Sequence, residues 1–312
     1  MLEVLEKAEE NKALERFRSE NADLFKKNDR QLAMHLGIVL SLLILFTSLV
    51  IVTPLLFVKI VFGVANAFLL FCLINVTIHH HHTHHNAAEH PFSKHSLDLL
   101  YLVVLPNAPK RRTRYTRAHL NHHARPFHET DVDHHYGKDH FSHMSKNLGT
   151  RILYFLELTF VGAHVPGWED DHYMNQVPLE EWNRNDYEGV KEEEKKKALR
   201  LSLLQWSGFG IAAWILPWLA WGWAFPMLLV KNWAHFLGQF QHYDNRFLDP
   251  SRSVWNRTKT YHFPGWLNYL TGGEISGHFL HHLFPEMPYY HVEAARRRLV
   301  RDPELAQLFV TY

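Results

Sequence analysis

Thiols are almost absent from this chain: Cys72 is the only cysteine among 312 residues. That excludes a disulfide scaffold and any cluster or zinc site built on several thiolates. Net charge is also missing. Lys and Arg number 33 against 32 Asp and Glu, a formal charge of +1, which excludes a generally basic nucleic-acid binder and leaves only local basic patches. No long-period repeat, low-complexity linker or composition break marks a second domain, and the highly charged first thirty residues do not form a cleavable signal peptide.

Charge is scarcest in two blocks. From Leu36 to Ile78 the only charged residue is Lys59, and Pro54 lies close to it. A membrane-spanning helix needs about 20 apolar residues, so this block predicts two spans joined by a tight turn. A second block, Leu201 to about Gln241, contains Pro217 and a Trp-rich middle (Trp214, Trp218, Trp221, Trp223), and predicts a second hairpin of two spans. Buried hairpins of a soluble protein are the plainer alternative, but nearly uncharged blocks of this length are rare in soluble folds. All but Lys59 and Lys231 of the 33 Lys and Arg precede the first hairpin, lie between the two or follow the second. By the positive-inside rule both termini and the long central segment then face the cytoplasm, with Trp218, Trp221 and Trp223 as an aromatic belt at the far interface.

The expected architecture is therefore an all-α integral membrane protein. Four transmembrane helices in two hairpins carry a cytoplasmic helical cap with a His-rich dimetal site. One domain covers residues 1–312. It divides into a charged leader (1–30), a first hairpin (31–78), a cap segment (79–199), a second hairpin (200–243) and a second cap segment (244–312). The leader, with only a weak apolar stripe (Leu2, Leu5, Phe17, Leu24), reads as solvated or interfacial. Residues 151–168 are apolar but too short to span, and read as an interfacial or cap-core segment. Residues 188–200 read as a solvated helix leading into the third span.

Histidine is the residue in excess, 26 in all, nearly all outside the hairpins on the basic side. Three clusters stand out. His79 to His90 follows the second span, and the run His79–His82 is internal, so it is no expression tag. His119, His122 and His123 form H-x-x-H-H, and so do His278, His281 and His282. On a helix, residues i, i+3 and i+4 share a face, so each triplet can aim three imidazoles at one point. His81, His84 and His85 show the same spacing. His235 and His242, seven residues apart near the end of the fourth span, share a face too and are candidates to complete a metal shell. Imidazole suits Zn, Cu, Fe and Ni. One four-coordinate zinc would use about four histidines, whereas two triplets and a first cluster supply enough for two six-coordinate ions. Glu89, Glu129, Asp131, Asp133 and Glu274 are near enough in sequence to orient imidazoles through their second N–H. His35, His128, His140, His143, His164, His172 and His262 read as packed or surface residues.

These residues resemble the membrane fatty-acid desaturase and hydroxylase superfamily. Its pattern is a first box H-x(3–4)-H after the second span, then two H-x-x-H-H boxes and a further histidine near the end of the fourth span. His85 and His90 fit the first box, with His81 and His85 a rival pairing. His119, His122 and His123 fit the second, followed by an acidic stretch, Glu129 to Asp133. His278, His281 and His282 fit the third, in a Gly277–Pro285 context similar to the family's own. His242 resembles the extra ligand of acyl-lipid desaturases and His235 that of the acyl-CoA branch. Residues five apart stand about 140° apart on an α-helix, so His85 and His90 require a bend, which Pro91 is placed to provide.

The resemblance implies a non-haem diiron oxidoreductase: two iron ions, O₂ as co-substrate, and an unactivated C–H bond of a fatty-acyl or related lipid chain as target. No side chain abstracts hydrogen from a methylene, so the cofactor carries that chemistry. The chain has no G-x-G-x-x-G after a strand and no H-P-G-G haem-attachment sequence. Electrons must therefore come from a separate ferredoxin-like or cytochrome-like donor. Alternatives within the superfamily are an alkene-forming decarboxylase of free fatty acids and a carotenoid or sphingolipid hydroxylase. From another class comes a His-rich metal transporter, which would place histidines along the bundle or in low-complexity loops rather than in spaced triplets of one cap.

Overall fold

The computed structural model describes residues 2–104, 119–120, 122–123, 131, 146–157, 192–230, 233, 263–273 and 277–306. Among them all regular structure is helical and there is no strand. The helices are α1 (Leu2–Glu20), α2 (Asp29–Val52), α3 (Leu56–Ile74), α4 (Pro91–Val104), α5 (Leu148–Glu157), α6 (Glu192–Ile215), α7 (Pro217–Val230), α8 (Gly265–Leu270), α9 (His278–Leu283) and α10 (Val292–Leu299).

The first hairpin follows from local chemistry. Asn28 caps α2 by accepting hydrogen bonds from the Arg30 and Gln31 amides, and Asp29 adds an acidic group at the positive helix end. The helix stops at Thr53 because Pro54 cannot continue it. Without a break in the backbone, α3 runs on into a π-helical segment, Asn75–Thr83. The helices Asp29–Val52 and Leu56–Thr83 are long and apolar enough to cross a membrane. Only 22% of the first one's apolar window and 39% of the second's is buried, far less than a soluble core helix would show. Ile44, Val52, Leu55 and Phe57 stand exposed toward the turn. Between the two helices, the fully buried Asn66 donates its amide to the Thr47 hydroxyl at 3.1 Å, while its Oδ1 is buried with no hydrogen-bond partner among the described residues.

Helix α6 is continuous from its charged start to Ile215, and the chain breaks at Leu216–Pro217. Helix α7 crosses α3 closely. A Cβ on Gly63 would lie 2.6 Å from the Phe225 ring, so only glycine permits the approach. Helix α7 is apolar but shorter than a span over the described residues. In α5, Leu148, Ile152, Leu153 and Phe155 are exposed while Tyr154 is buried, an apolar outer face consistent with an interfacial segment.

The leader is not solvated along its whole length. Ala13, Phe17 and Leu24 are buried in one core with Leu280, Leu283, Phe284, Met287, Ala295 and Leu299. Phe17 stacks on Phe284 with ring centroids 5.4 Å apart. Ion pairs surround that core: Arg16 with Asp302 at 2.8 Å, Arg298 with Asp23 at 2.7 Å, and Arg18 with Glu286. The apolar stripe is weak because the leader's described contact with the core beside the third histidine box rests on few residues, Ala13, Phe17 and Leu24. Asn86 closes the other side, its amide donating to the carbonyls of Pro285 and Met287.

Candidate metal centre

Eight histidines converge into two clusters, one of five that is buried to half-buried and one of three that is fully buried. His79, His84, His119, His123 and His281 form one, and His122, His278 and His282 the other. Within each, one ring nitrogen per residue lies within 4.8 Å of all the rest. The closest approaches join nitrogen to nitrogen. His79 Nε2 is 2.7 Å from His281 Nε2, and His119 Nε2 is 2.9 Å from His123 Nε2 and 3.1 Å from His84 Nε2. In the second cluster His282 Nε2 stands 3.2 Å from His122 Nε2 and 3.1 Å from His278 Nε2. Two nitrogens about 2.1 Å from a common ion and at right angles to one another stand about 3 Å apart, which is the spacing seen.

The two H-x-x-H-H triplets do not each aim at one point, as their spacing alone suggests. In each, the i and i+4 imidazoles join one cluster and the i+3 imidazole joins the other. His119 and His123 face the five-histidine cluster while His122 crosses to the second; His278 and His282 face the second while His281 crosses to the first. The reason is angular. On an α-helix, i and i+4 differ by about 40°, but i+3 lies about 100° from i+4. Two facing helical segments can therefore contribute reciprocally to two clusters.

The first box differs from the sequence expectation. His85 and His90 do not enter either cluster. His85 is exposed with φ 55°, and its Nδ1 donates to the His81 carbonyl at 3.0 Å. His90 is exposed, and its Nδ1 accepts from the Phe92 amide. Their places are taken by His79 and His84, also five apart. The π-helical turn explains this: the His84 amide donates to the His79 carbonyl at 3.1 Å, an i to i−5 bond. A π-turn brings i and i+5 over one another, whereas an α-turn would separate them by about 140°. The same spacing was visible in the sequence, but α-helical geometry gave no reason to prefer it. Of the remaining expected ligands, His235 and His242 lie outside the described residues.

Neighbouring groups set the protonation of the rings. Asn75 donates its amide to the Thr271 carbonyl at 3.0 Å, so its Oδ1 is the atom facing His79 Nδ1 at 2.9 Å. His79 must then carry its proton on Nδ1 and turn the Nε2 lone pair toward His281. Asp131 does the same for His122, accepting from Nδ1 at 2.8 Å with both side chains fully buried. Of the other carboxylates, Glu89 is exposed, and Glu129, Asp133 and Glu274 lie outside the described residues. Burial, and then the other imidazoles, hold His119, His123 and His281 well below the ordinary histidine range. Burial favours the neutral form of these rings, whose ring nitrogens stand within 3.1 Å of a neighbouring ring nitrogen. Such an arrangement is repulsive unless protons or cations lie between the nitrogens, and the all-imidazole donor set fits borderline divalent metals.

The remaining members of the run have other partners. His80 Nε2 donates to the Gly272 carbonyl at 3.0 Å. His35 reads correctly as a packed histidine: it sits between the Tyr289 hydroxyl at 2.5 Å and the Leu270 carbonyl at 3.2 Å. The other histidines expected to be bland lie outside the described residues.

The comparisons agree with this geometry. No curated protein matches the chain. The family model described as "Fatty acid desaturase" matches residues 54–312, which takes in both metal clusters and the second candidate span. Membership implies an oxidoreductase of the membrane, with a lipid substrate, and the histidine clusters can bind the metal such an enzyme requires. Over most of its length, then, this chain belongs to the fatty acid desaturase family.

Proposed function

We propose that this protein is an O₂-dependent, non-haem diiron oxidoreductase that desaturates or hydroxylates a C–H position of a fatty-acyl or related lipid chain. The observation that carries this reading is the division of three histidine boxes into two adjoining clusters of imidazoles. His79, His84, His119, His123 and His281 would hold one iron, and His122, His278 and His282 the other. We assign His235 and His242 as candidates to complete the second set. The bound irons would supply the oxidising power that no side chain has. The chain's own residues hold the ligands: Asn75 and Asp131 fix the tautomers of His79 and His122, and burial keeps the ring nitrogens from bulk water.

The same reading gives four spans in two hairpins, with both termini and the boxes in the cytoplasm. The charge distribution supports it, since Lys and Arg avoid both hairpin turns. Electrons come from a separate ferredoxin-like or cytochrome-like protein, and Lys110 to Arg117 is a basic run able to dock an acidic donor, whereas Arg296, Arg297 and Arg298 are already ion-paired with Glu293 and Asp23. The test is purification in detergent, a mild chelator wash, metal analysis, and incubation with a lipid extract, O₂ and a reduced donor. About two irons retained per chain and an O₂-dependent unsaturated or hydroxylated acyl product are expected. One zinc and no iron, from cells grown with ample iron, would overturn the reading.

A further inference from the structure

The histidine run contains donors that neither buried cluster uses. We propose that His81, His82 and Asp98 form a third metal site, which binds one divalent first-row transition ion. His81 Nε2 lies 3.2 Å and His82 Nε2 3.6 Å from the same carboxylate oxygen, Asp98 Oδ1. One donor atom from each of the three lies within 4.8 Å of the other two. Two imidazoles and one carboxylate are the protein ligands of many zinc sites and of facial Fe(II) sites, with the remaining positions left to water.

The fold holds this group apart from the buried centre. His79 and His84 turn toward the box-two and box-three histidines, while His81 and His82, within the same π-helical stretch, meet α4. Three structural features hold the donors in place. Asp98 sits in the middle of α4, which packs against the π-helical segment. One turn further along α4, the Tyr101 ring packs edge-on against His82 with centroids 4.8 Å apart. The exposed His85 donates to the His81 carbonyl.

Access and charge also differ from the buried clusters. The imidazole side chains of His81 and His82 are 4% and 8% exposed, but that of Asp98 is 46% exposed. An ion here has buried nitrogen donors behind it and an open, water-facing carboxylate in front. The donor set of this group includes a carboxylate, whereas those of the two histidine clusters contain none among the described residues. A hydrated divalent cation is therefore attracted to this position without a deep desolvation cost. The donor set does not separate Zn²⁺ from Fe²⁺, and the experiment does.

The full-length protein in detergent is washed with a mild chelator and then titrated with Zn²⁺, or anaerobically with Fe²⁺, and bound metal is counted after gel filtration. Wild type is expected to gain one ion per chain above the retained content, and the tighter of the two titrations names the preferred metal. Asp98→Asn, at an exposed position, and His82→Gln should not gain it, while eluting as wild type does. Added Co²⁺ should give ligand-field absorption bands in wild type that both variants lack. Equal uptake in wild type and Asp98→Asn, whatever its value, would overturn the proposal: the carboxylate would then be only a hydrogen-bond acceptor for the two rings. Failure of the diiron reading would alter the metal retained through the wash, whereas failure of this proposal alters only the ion added afterwards.

Discussion

The first and third histidine boxes bring imidazoles to the same cluster by different backbone geometries. The third lies on a short α-helix, α9, where His278, His281 and His282 occupy i, i+3 and i+4. The first lies on a π-helical turn, where His79 and His84 are brought together by an i to i−5 bond. The α-helical box is recognisable from spacing alone. The π-helical box is not, because spacing identifies a shared face only when the helical period is known. Six histidines between positions 79 and 85 offer several pairs of plausible spacing, and only the backbone decides among them.

The largest effects should come from breaking the ligand sets. His281→Ala and His79→Ala should each abolish turnover and lower the retained iron, while the protein still enters the membrane. His85→Ala and His90→Ala, one box-length along, should keep most of both. Turnover and iron per chain measured on the four variants together separate the π-helical assignment from the one suggested by the sequence. Next comes the backbone beneath the third box. A Cβ at Gly277 would lie 1.9 Å from Val292 Cγ1 and 2.8 Å from the Gly273 carbonyl oxygen. Gly277→Ala should therefore cost about 1–3 kcal/mol by overpacking and misplace α9, read as a lower thermal midpoint and lost iron. Among the described glycines none equally tight supports the first box.

A smaller effect is expected from the groups that orient the rings. Asn75→Ala should let His79 change tautomer, and Asp131→Asn should weaken the orientation of His122. Each should lower metal affinity or activity by about 10–100-fold without removing a ligand, measured by competition with a graded chelator. The smallest effect concerns the docked leader. Its hydrogen bond from Arg298 holds the Asp23 carboxyl below the usual range. A depressed carboxyl stabilises the docked state at pH values above its unfolded pKa, and that stabilisation is lost as pH falls through its folded pKa. Proteolysis within residues 20–28 should therefore quicken below about pH 4, with Arg298→Ala showing the same quickening at neutral pH. The exposure of the pair keeps the effect small.

Much of the fold was legible because membranes impose coarse rules. Two apolar helices at Asp29–Val52 and Leu56–Thr83 match the first uncharged block, and the chain breaks at Pro217 inside the second. The two H-x-x-H-H motifs were legible in the sequence, but the reciprocal division of their histidines between two clusters was not. It depends on contacts such as His122 with His282, between residues 160 apart in sequence. The docking of Phe17 on Phe284 was equally hidden, since nothing local to either residue reveals a partner so distant. Asp131 was one of five candidate carboxylates, and only burial against His122 distinguishes it.

The central claim is that the first box is His79 and His84, joined to boxes two and three as two metal positions. The most direct test is retained iron per chain, after a chelator wash, in His79→Ala and His85→Ala compared with wild type. The account predicts about two irons in wild type and in His85→Ala, and clearly fewer in His79→Ala. Retention in His79→Ala together with loss in His85→Ala would contradict it.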